Sequence, residues 1–333
     1  MTSKLRQVVL ERYPDGIPVA EDFRIVEAPL PDPAAGEVLC ETLYLSLDPY
    51  MRSQIAGRHL SGSVAPGDTM RGETVSRVIA SRVNSIPVGT LVRCFGGWRS
   101  HSVHPQSEVF PLPADFPAPS LALSTLGMPG LTAWAGLRCL AKPIAGETVV
   151  IPAASGGVGA VAGQLARTSG CRVIGIAGSD EKCRQATENL GYDACINRLS
   201  DDVDEALRQH CPDGINVYFD LVGGPLLTTA SKQLAIGARV LLCGLMADYN
   251  SNERPAGPPP GLWIIARAIV YGLVVYDYEV RREEFLAEAI GLLNEGRLRS
   301  YEDRSQGLDS APAAFSRLMR GENHGKSLVC LAE

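Results

Sequence analysis

Hydrophobic and polar residues form two different patterns along the chain. Up to about residue 120, short runs rich in β-branched and aromatic residues alternate with Gly and Pro turns, which predicts strands over 36–45, 73–80 and 90–95. From about 121 to 300, apolar strands alternate with helical patterns, an order typical of βαβ units around a parallel sheet. The pattern therefore predicts a β-rich first region followed by an α/β region.

The individual elements of the second region, and of the last thirty or so residues after it, can be placed from the same periodicity. Strands are predicted over 148–151, 172–176, 217–222, 238–243 and 327–331, and helices over 158–167, 181–190, 281–297 and 312–319. The longest apolar stretch, 261–276, is interrupted by Arg267 and is shorter than the roughly 18 apolar residues of a membrane span. It predicts a buried strand and helix instead. Residues 250–260, with three successive prolines, predict a stiff loop.

Composition narrows the class of protein. A length of 333 residues suggests two domains, and 31 basic against 37 acidic residues gives a net charge of −6. This balance argues against binding to nucleic acid or to anionic membranes, which needs a basic surface. The nine cysteines are odd in number and include no C-x-x-C pair, and the N-terminal segment lacks the apolar run of a signal peptide. We expect reduced thiols and a cytoplasmic location.

The strongest local motif is a glycine-rich turn between a strand and a helix. Ala154-x-Gly156-x-x-Gly159 fits the dinucleotide fingerprint with Ala in its first position. Small residues allow a tight turn and a close approach of backbone to pyrophosphate, and the free N–H groups at the helix start, including those of Gly157 and Val158, face the phosphates. The alternative is a plain connection between strand and helix, but the flanking elements favour a nucleotide site.

The end of the second strand of this unit predicts which dinucleotide binds. An NAD enzyme usually has a carboxylate there, whereas this chain has Gly178, with Ser179 and Lys182 able to hold a 2′-phosphate. Asp180 is the contrary observation, and Ser179 is also a candidate N-cap for the next helix. We therefore expect NADP(H) rather than NAD.

Metal and nucleophile sites lack the residue patterns that they need. The five histidines are residues 59, 101, 104, 210 and 324, and the spacing of His101 and His104 places them on opposite faces of a strand. No set of three or four zinc ligands is recognisable, so no metal is expected. Ser155 is not in a G-x-S-x-G nucleophile elbow because position 153 is Ala.

Seven segments together resemble one family, the zinc-independent medium-chain dehydrogenases/reductases of the prostaglandin reductase and alkenal/one oxidoreductase (leukotriene hydroxydehydrogenase-like) branch. They occur in family order from residue 46 to the C-terminus. The segments are Ser46–Arg52, Gly127–Ala133, Ala153–Gly159, Gly178–Lys182, Asp220–Gly224, Gly257–Pro260 and Gly321–Lys326. Where zinc-dependent relatives have Gly-His-Glu, this chain has Arg71-Gly72-Glu73.

The resemblance implies a fold and a set of site residues. It implies a doubly wound Rossmann parallel sheet over 123–299, and a GroES-like β-barrel catalytic domain over 1–122 completed by 300–333. Tyr50 would lie at the nicotinamide end, and Tyr50 and Tyr249 are the candidate catalytic residues. Further candidates for contacting the cofactor are Gly156, Gly157, Val158, Gly159, Gly178, Ser179, Lys182, Arg198, Gly244, Tyr249 and Asn323.

Three residues depart from the family pattern. Arg198 stands where a tyrosine is expected to contact the cofactor, Leu221 stands where an asparagine is expected, and Ile265 stands where a tyrosine often follows the triple proline. Structural roles also remain open for three candidates. Tyr50 could pack on the barrel, Asn323 could brace the final turn, and Lys182 could be solvated.

The resemblance implies an NADPH-dependent reductase of the C=C bond in α,β-unsaturated aldehydes or ketones. Hydride would add to the β-carbon, and hydrogen-bond donors rather than a metal would stabilise the resulting enolate oxygen. The alternatives are a quinone reductase on the same fold and a non-catalytic NADP(H)-binding protein. The expected partner is a small-molecule enone, with neither nucleic acid nor membrane, and a homodimer built through the Rossmann domains is expected.

Overall fold

The computed structural model describes residues 4–251 and 256–332, so residues 252–255 of the predicted stiff loop lie outside the described residues. The chain divides into two compact units. The discontinuous unit is Met1–Leu123 with Glu302–Glu333, and the central unit is Ser124–Tyr301. The sequence predicts domains over 1–122 with 300–333 and over 123–299. That these are separate domains stays a prediction.

The N-terminal part of the discontinuous unit is built almost entirely from strands. The strands are β1 (Lys4–Leu10), β2 (Phe23–Pro29), β3 (Glu37–Ser46), β4 (Thr74–Ser81), β5 (Leu91–Cys94), β6 (His101–Pro105) and β7 (Phe110–Pro111), and the one α-helix among these described residues is α1 (Met51–Ile55). The strands predicted over 36–45, 73–80 and 90–95 are confirmed to within about two residues at each end as β3, β4 and β5.

The central unit alternates strands with helices, as the pattern predicts. Its elements are α2 (Met128–Trp134), β8 (Thr148–Pro152), α3 (Gly157–Thr168), β9 (Arg172–Ala177), α4 (Asp180–Arg184), β10 (Ala194–Asn197), α5 (Val203–His210), β11 (Ile215–Asp220), α6 (Gly224–Ser231), β12 (Leu234–Leu242), α7 (Pro260–Ala266), β13 (Ile269–Gly272) and α8 (Arg282–Asn294). Helix α2 continues as a π-helical stretch, Ala135–Ala141, and α4 as another, Gln185–Asn189.

The six strands of the central unit form one parallel sheet. Their order is β10-β9-β8-β11-β12-β13, so the chain runs outward in one direction from β8 and then in the other from β11. This is the strand order of the doubly wound Rossmann fold, which binds ligands at the carboxyl ends of the strands where the order reverses. The fold class predicted from the sequence is confirmed, and the point of reversal lies between β8 and β11.

The C-terminal segment returns to the discontinuous unit. It consists of β14 (Glu302–Gln306), α9 (Ala311–Arg320) and β15 (Lys326–Cys330), and the sheet runs β14-β15-β3-β4-β5-β7 with β6 paired to β3. Phe315 of α9 contacts the rings of Phe23 and Trp98 edge-on, at centroid distances of 6.2 and 5.6 Å. The last thirty residues therefore supply both a sheet strand and an aromatic part of the core.

The prediction that residues 261–276 are buried is wrong. They form α7 and β13 as a helix and a strand, but Ile264 is 75% exposed, Ile265 69% and Ile269 51%. Strand β13 is the last strand of its sheet and pairs only with β12, so its other edge has no neighbour among the described residues. Hydrophobic residues at such an edge are buried only if another part of the same chain covers them. Hydrophobicity alone therefore does not predict their burial.

Candidate functional site

The glycine-rich turn connects β8 to α3 at the carboxyl end of the sheet. Ala153 has a left-handed backbone conformation, with φ of 52°, and the Gly156 N–H donates to its carbonyl oxygen at 2.9 Å. A Cβ added at Gly159 would lie 2.3 Å from that same oxygen, and one at Gly156 would lie 3.2 Å from it. Gly159 is therefore required for the close approach of α3 to the strand, as the fingerprint predicts.

The start of α3 suits an anionic group. The helix begins at Gly157, so the N–H groups of Gly157, Val158 and Gly159 precede its first i→i−4 hydrogen bond. Gly156, Gly157 and Val158 are half-buried rather than covered by side chains. Backbone donors at a helix N-terminus, beside the point where strand order reverses, fit the pyrophosphate of a dinucleotide.

The end of β9 has the small residue and the cap that the sequence predicts. Gly178 directly follows the strand, and Ser179 is the N-cap of α4, its hydroxyl accepting the Lys182 backbone N–H at 3.3 Å. The N-cap interpretation of Ser179 is confirmed. The Lys182 side chain is half-buried on the first turn of that helix.

Arg198 lies beside Gly178, which the sequence alone did not indicate. Its guanidinium nitrogen is 3.5 Å from the position that a Cβ on Gly178 would take, and its backbone N–H donates to Ala177 at 2.9 Å. The Asp180 carboxylate is turned away into a hydrogen bond from the Asn197 side chain, at 2.7 Å. The end of β9 therefore presents a guanidinium rather than a free carboxylate, which suits a phosphate.

Gly244 and Tyr249 follow β12 at the same edge of the sheet. The Gly244 N–H donates to the Asp220 carbonyl oxygen at 3.2 Å, and a Cβ at Gly244 would lie 2.8 Å from the Leu221 carbonyl oxygen. The Tyr249 hydroxyl accepts the Leu245 N–H at 3.4 Å, and burial raises the pKa of Tyr249. The phenol is therefore protonated at neutral pH and able to donate a hydrogen bond.

Asp220 is a buried carboxyl at the carboxyl end of the sheet, and in the sequence it is recognisable only as the first residue of the Asp220–Gly224 segment. It ends β11, is fully buried, and its Oδ1 accepts the N–H groups of Val222 and Gly223 at 3.1 and 2.9 Å. Its Oδ2 has no hydrogen-bond partner among the described residues. Burial, with a smaller contribution from Asp248, raises the pKa of Asp220 to about 6.

The discontinuous unit carries Tyr50 and Asn323. Tyr50 precedes α1, is half-buried against the apolar core, and stacks on His59 with ring centroids 4.7 Å apart. The Asn323 side-chain nitrogen donates to the Gly325 carbonyl oxygen at 2.7 Å, which confirms the bracing interpretation for that atom. Nothing in the sequence pattern links His59 to Tyr50, because their contact depends on the path of the loop between them.

A buried ion pair holds the segment that leads to Tyr50. The Lys326 ammonium on β15 lies 3.1 Å from Asp48 and donates to the Leu47 carbonyl oxygen at 2.6 Å. Both charged side chains are at most 6% exposed, and the Ser46 hydroxyl donates to Asp48 at 2.5 Å. The turn before Tyr50 is thus tied to the C-terminal strand by contacts that exclude water.

Residues 4–251 and 256–332 contain no group of three or more His, Cys, Asp or Glu side chains arranged to hold a metal ion. All nine cysteines are free of disulfides. His101 is half-buried and His104 is buried on β6. None of the helices in those ranges has the length and hydropathy that a membrane crossing requires.

Comparisons with known proteins identify the class. The protein-family model described as the N-terminal domain of oxidoreductase matches residues 6–112. The family model described as zinc-binding dehydrogenase matches residues 157–294. The chain is 39% identical to NADPH-dependent curcumin reductase of Escherichia coli (strain K12), over 98% of this chain and 97% of that protein. It is also 39% identical to prostaglandin reductase 1 of Rattus norvegicus, over 96% and 97%.

A solved structure agrees with these relatives. CurA from Vibrio vulnificus, in complex with NADPH, superimposes with a TM-score of 0.94 at 39% identity, covering 98% of this chain and 99% of that one. The fold and the nucleotide-type turn define a medium-chain dehydrogenase/reductase. The chain belongs to the zinc-independent branch of that family, with the prostaglandin reductases and alkenal reductases.

The buried Asp220 carboxyl predicts a pH-dependent stability. Its folded pKa is raised from 3.8 to about 6. Below about pH 4 the carboxyl is protonated in both the folded and the unfolded state, so stability is at its full value there. Stability is then lost as pH rises through 6, because the unfolded state ionises more readily than the folded state. A shift of about two units corresponds to about 3 kcal/mol. Asn cannot ionise. We therefore expect the free energy of unfolding of Asp220→Asn to rise by about 3 kcal/mol relative to that of wild type as the pH goes from 4 to 8.

Urea unfolding measured across that pH range tests this prediction. Asp213→Asn, at an exposed aspartate, is the matched control and should differ from wild type by the same amount at every pH. A difference between Asp220→Asn and wild type that does not change with pH would show that Asp220 is ionised in the folded protein throughout.

Proposed function

We propose that this protein is an NADPH-dependent oxidoreductase that reduces the C=C double bond of α,β-unsaturated aldehydes and ketones. The proposal is carried by a match over nearly the full chain to NADPH-dependent curcumin reductase and prostaglandin reductase 1, and to the structure of CurA in complex with NADPH. The residues at the ends of β8 and β9 support it, because their small side chains, helix N-terminus and guanidinium suit the pyrophosphate and the 2′-phosphate of NADPH. The small-molecule partner is an enone or alkenal.

Two places in the central unit would hold most of the cofactor. The α3 N-terminus would bind the pyrophosphate through backbone N–H groups. Ser179, Lys182 and Arg198, at the end of β9, would bind the 2′-phosphate, and Gly178 would leave room for it. The remaining cofactor contacts that we propose are Gly156, Gly157, Val158, Gly159, Gly244, Tyr249 and Asn323.

NADPH, when bound, supplies the hydride that adds to the β-carbon of the substrate, and NADP⁺ is left. Negative charge then develops on the carbonyl oxygen, and an oriented donor to such an oxygen is typically worth about 3 to 4 kcal/mol. We propose the Tyr50 hydroxyl as one donor and the Tyr249 hydroxyl, protonated because burial raises its pKa, as another. A solvent proton then adds to the α-carbon and completes the reduction.

The two units of the chain take the domain roles of the family in this proposal. The central unit, with its doubly wound sheet, is the Rossmann domain for NADP(H), and the discontinuous unit is the GroES-like catalytic domain. Nine cysteines that form no disulfide support a reducing compartment, and we propose the cytoplasm.

The oxidation of NADPH by purified protein tests the reaction class. The panel contains 2-alkenals, enones, quinones and simple ketones, each also assayed with NADH, and product analysis locates the reduced bond. We expect turnover of enones and alkenals with NADPH preferred and the carbonyl intact in the product. Turnover of quinones alone would favour the quinone reductase alternative, and NADPH binding without any turnover would favour a non-catalytic protein.

The proposed 2′-phosphate site predicts selective loss of NADPH affinity. Charge-assisted hydrogen bonds contribute about 1.5 to 3 kcal/mol, so Lys182→Ala and Arg198→Ala should each raise the Kd for NADPH by about 10-fold or more, with little change for NADH. Fluorescence titration measures both constants. Arg172→Ala, an exposed arginine at the opposite end of β9, is the control. An equal loss for both cofactors would contradict the assignment.

We propose a homodimer in which the β13 edges of two central units pair. Within residues 4–251 and 256–332, strand β13 has one strand neighbour, β12, and Ile269 on β13 is 51% exposed. Ile264, before β13 in the chain, is 75% exposed, and Val280, after β13, is 91% exposed. An open strand edge with exposed apolar side chains favours pairing with a second copy, and cyclic dimers are the commonest closed assembly.

A charge placed on the β13 edge should prevent this dimer. We expect wild type to run at twice the mass of one chain in size-exclusion chromatography with light scattering, and Ile269→Lys to run as a monomer, because pairing would bury the ammonium. Ile236→Lys, at an isoleucine of β12 that is 68% exposed, should remain dimeric. A monomeric wild type would rule out the dimer.

A further inference from the structure

The loop after α1 folds back over Tyr50. His59 lies on this loop and stacks its imidazole on the Tyr50 ring, with centroids 4.7 Å apart and planes 24° apart. The loop is held from both sides, because the buried Gln54 donates to the Ser61 hydroxyl at 2.8 Å and Arg71 donates to the Ser61 carbonyl oxygen at 2.7 Å. The imidazole is therefore fixed in place beside a residue already proposed for catalysis.

The hydrogen bonds of His59 determine which ring nitrogen carries the proton. The Ser61 backbone N–H donates to Nδ1 at 3.1 Å, and the Ser61 hydroxyl lies 2.7 Å from the same atom. An N–H group can donate only to an unprotonated nitrogen, so Nδ1 is the acceptor of the ring. The proton of the neutral imidazole consequently resides on Nε2.

The Nε2–H group is the remaining hydrogen-bond donor of the His59 ring. No described residue forms a hydrogen bond with Nε2, although the ring is half-buried. Burial, and next the positive charge of Arg71, lower the pKa of His59, so the imidazole is neutral at physiological pH. A neutral imidazole with one fixed N–H can donate a hydrogen bond to an oxygen without introducing a full charge.

We propose that His59 is a further catalytic residue, whose Nε2–H donates a hydrogen bond to the substrate carbonyl oxygen. The proposal rests on the enone reductase activity proposed above. As hydride adds to the β-carbon, the C=C electron pair moves toward the carbonyl and the oxygen gains negative charge. Nε2–H would stabilise that oxygen without transferring its proton, so His59 is unchanged over the reaction. The preorganised loop means that the donor needs no rearrangement.

A purely structural role, in which the ring only supports Tyr50, makes a different prediction. His59→Phe keeps an aromatic ring able to stack but removes the donor. His59→Gln removes the stack but keeps a side-chain N–H of similar reach. If stacking is what matters, Phe should preserve activity and Gln should lose it; if donation matters, the order is reversed.

The test measures kcat and KM for an enone, the Kd for NADPH and the thermal unfolding midpoint of each variant. We expect His59→Phe to lower kcat by about 100-fold or more, since removal of one oxyanion donor typically costs about 100- to 1,000-fold, with the Kd for NADPH and the unfolding midpoint unchanged. His59→Gln should recover part of the loss. His101→Phe, at another half-buried histidine of the same unit, is the control and should match wild type.

The outcomes separate this proposal from the proposed function. Enone reduction by wild type with full kcat in His59→Phe would overturn the role of His59 and leave the reductase standing. No enone reduction by wild type would overturn both. Equal loss of activity in the Phe and Gln variants with a lowered unfolding midpoint would show a structural role and overturn the donor. If His59→Phe does not fold, His59→Gln decides, because an inactive but folded Gln variant contradicts the proposal.

Discussion

The close approach of α3 to the carboxyl end of β8 is the constraint on which the nucleotide site depends. The Ala153 carbonyl oxygen occupies the space where a side chain at Gly159 would begin. The helix is held in that position from its other side, because the Tyr192 hydroxyl donates to the Gly159 carbonyl oxygen at 2.7 Å and its ring fills the space that a Cβ on Gly163 would need. Substitution of Gly159 or Gly163 by a residue with a side chain would therefore displace α3, and with it the N–H groups at its N-terminus, from their position beside the strand.

The discontinuous unit has an equivalent constraint in the ion pair between Asp48 and Lys326. Because both charges are buried, removal of one partner alone would leave an uncompensated charge, which typically costs about 3 to 5 kcal/mol. The pair joins the turn before Tyr50 to a strand almost 280 positions later. It is one of the contacts by which the last thirty residues belong to the unit that begins the chain.

The periodic parts of the fold were predictable from sequence and the singular parts were not. Repeating apolar positions located the strands and helices of the doubly wound sheet, and the spacing of Gly156 and Gly159 located the turn. The left-handed Ala153, the unpartnered Oδ2 of Asp220 and the stack of His59 depend on the path of loops, which residue type alone does not determine. The apolar stretch over 261–276 was predicted to be buried because hydrophobicity does not distinguish a core from an uncovered edge.

The three departures from the family pattern have three different physical consequences. Arg198 has a guanidinium next to Gly178 where the family pattern has a tyrosine phenol. This position therefore loses the tyrosine contact with the cofactor but gains a positive charge suited to a phosphate. The Leu221 side chain is 6% exposed and offers no hydrogen bond to its neighbour Asp220. The Asp220 carboxyl has a raised pKa, and one of its oxygens has no partner within the described part of the chain. Ile265 is exposed on α7 and removes a hydroxyl. The donors that we propose for the substrate oxygen, Tyr50, Tyr249 and His59, therefore all lie outside α7.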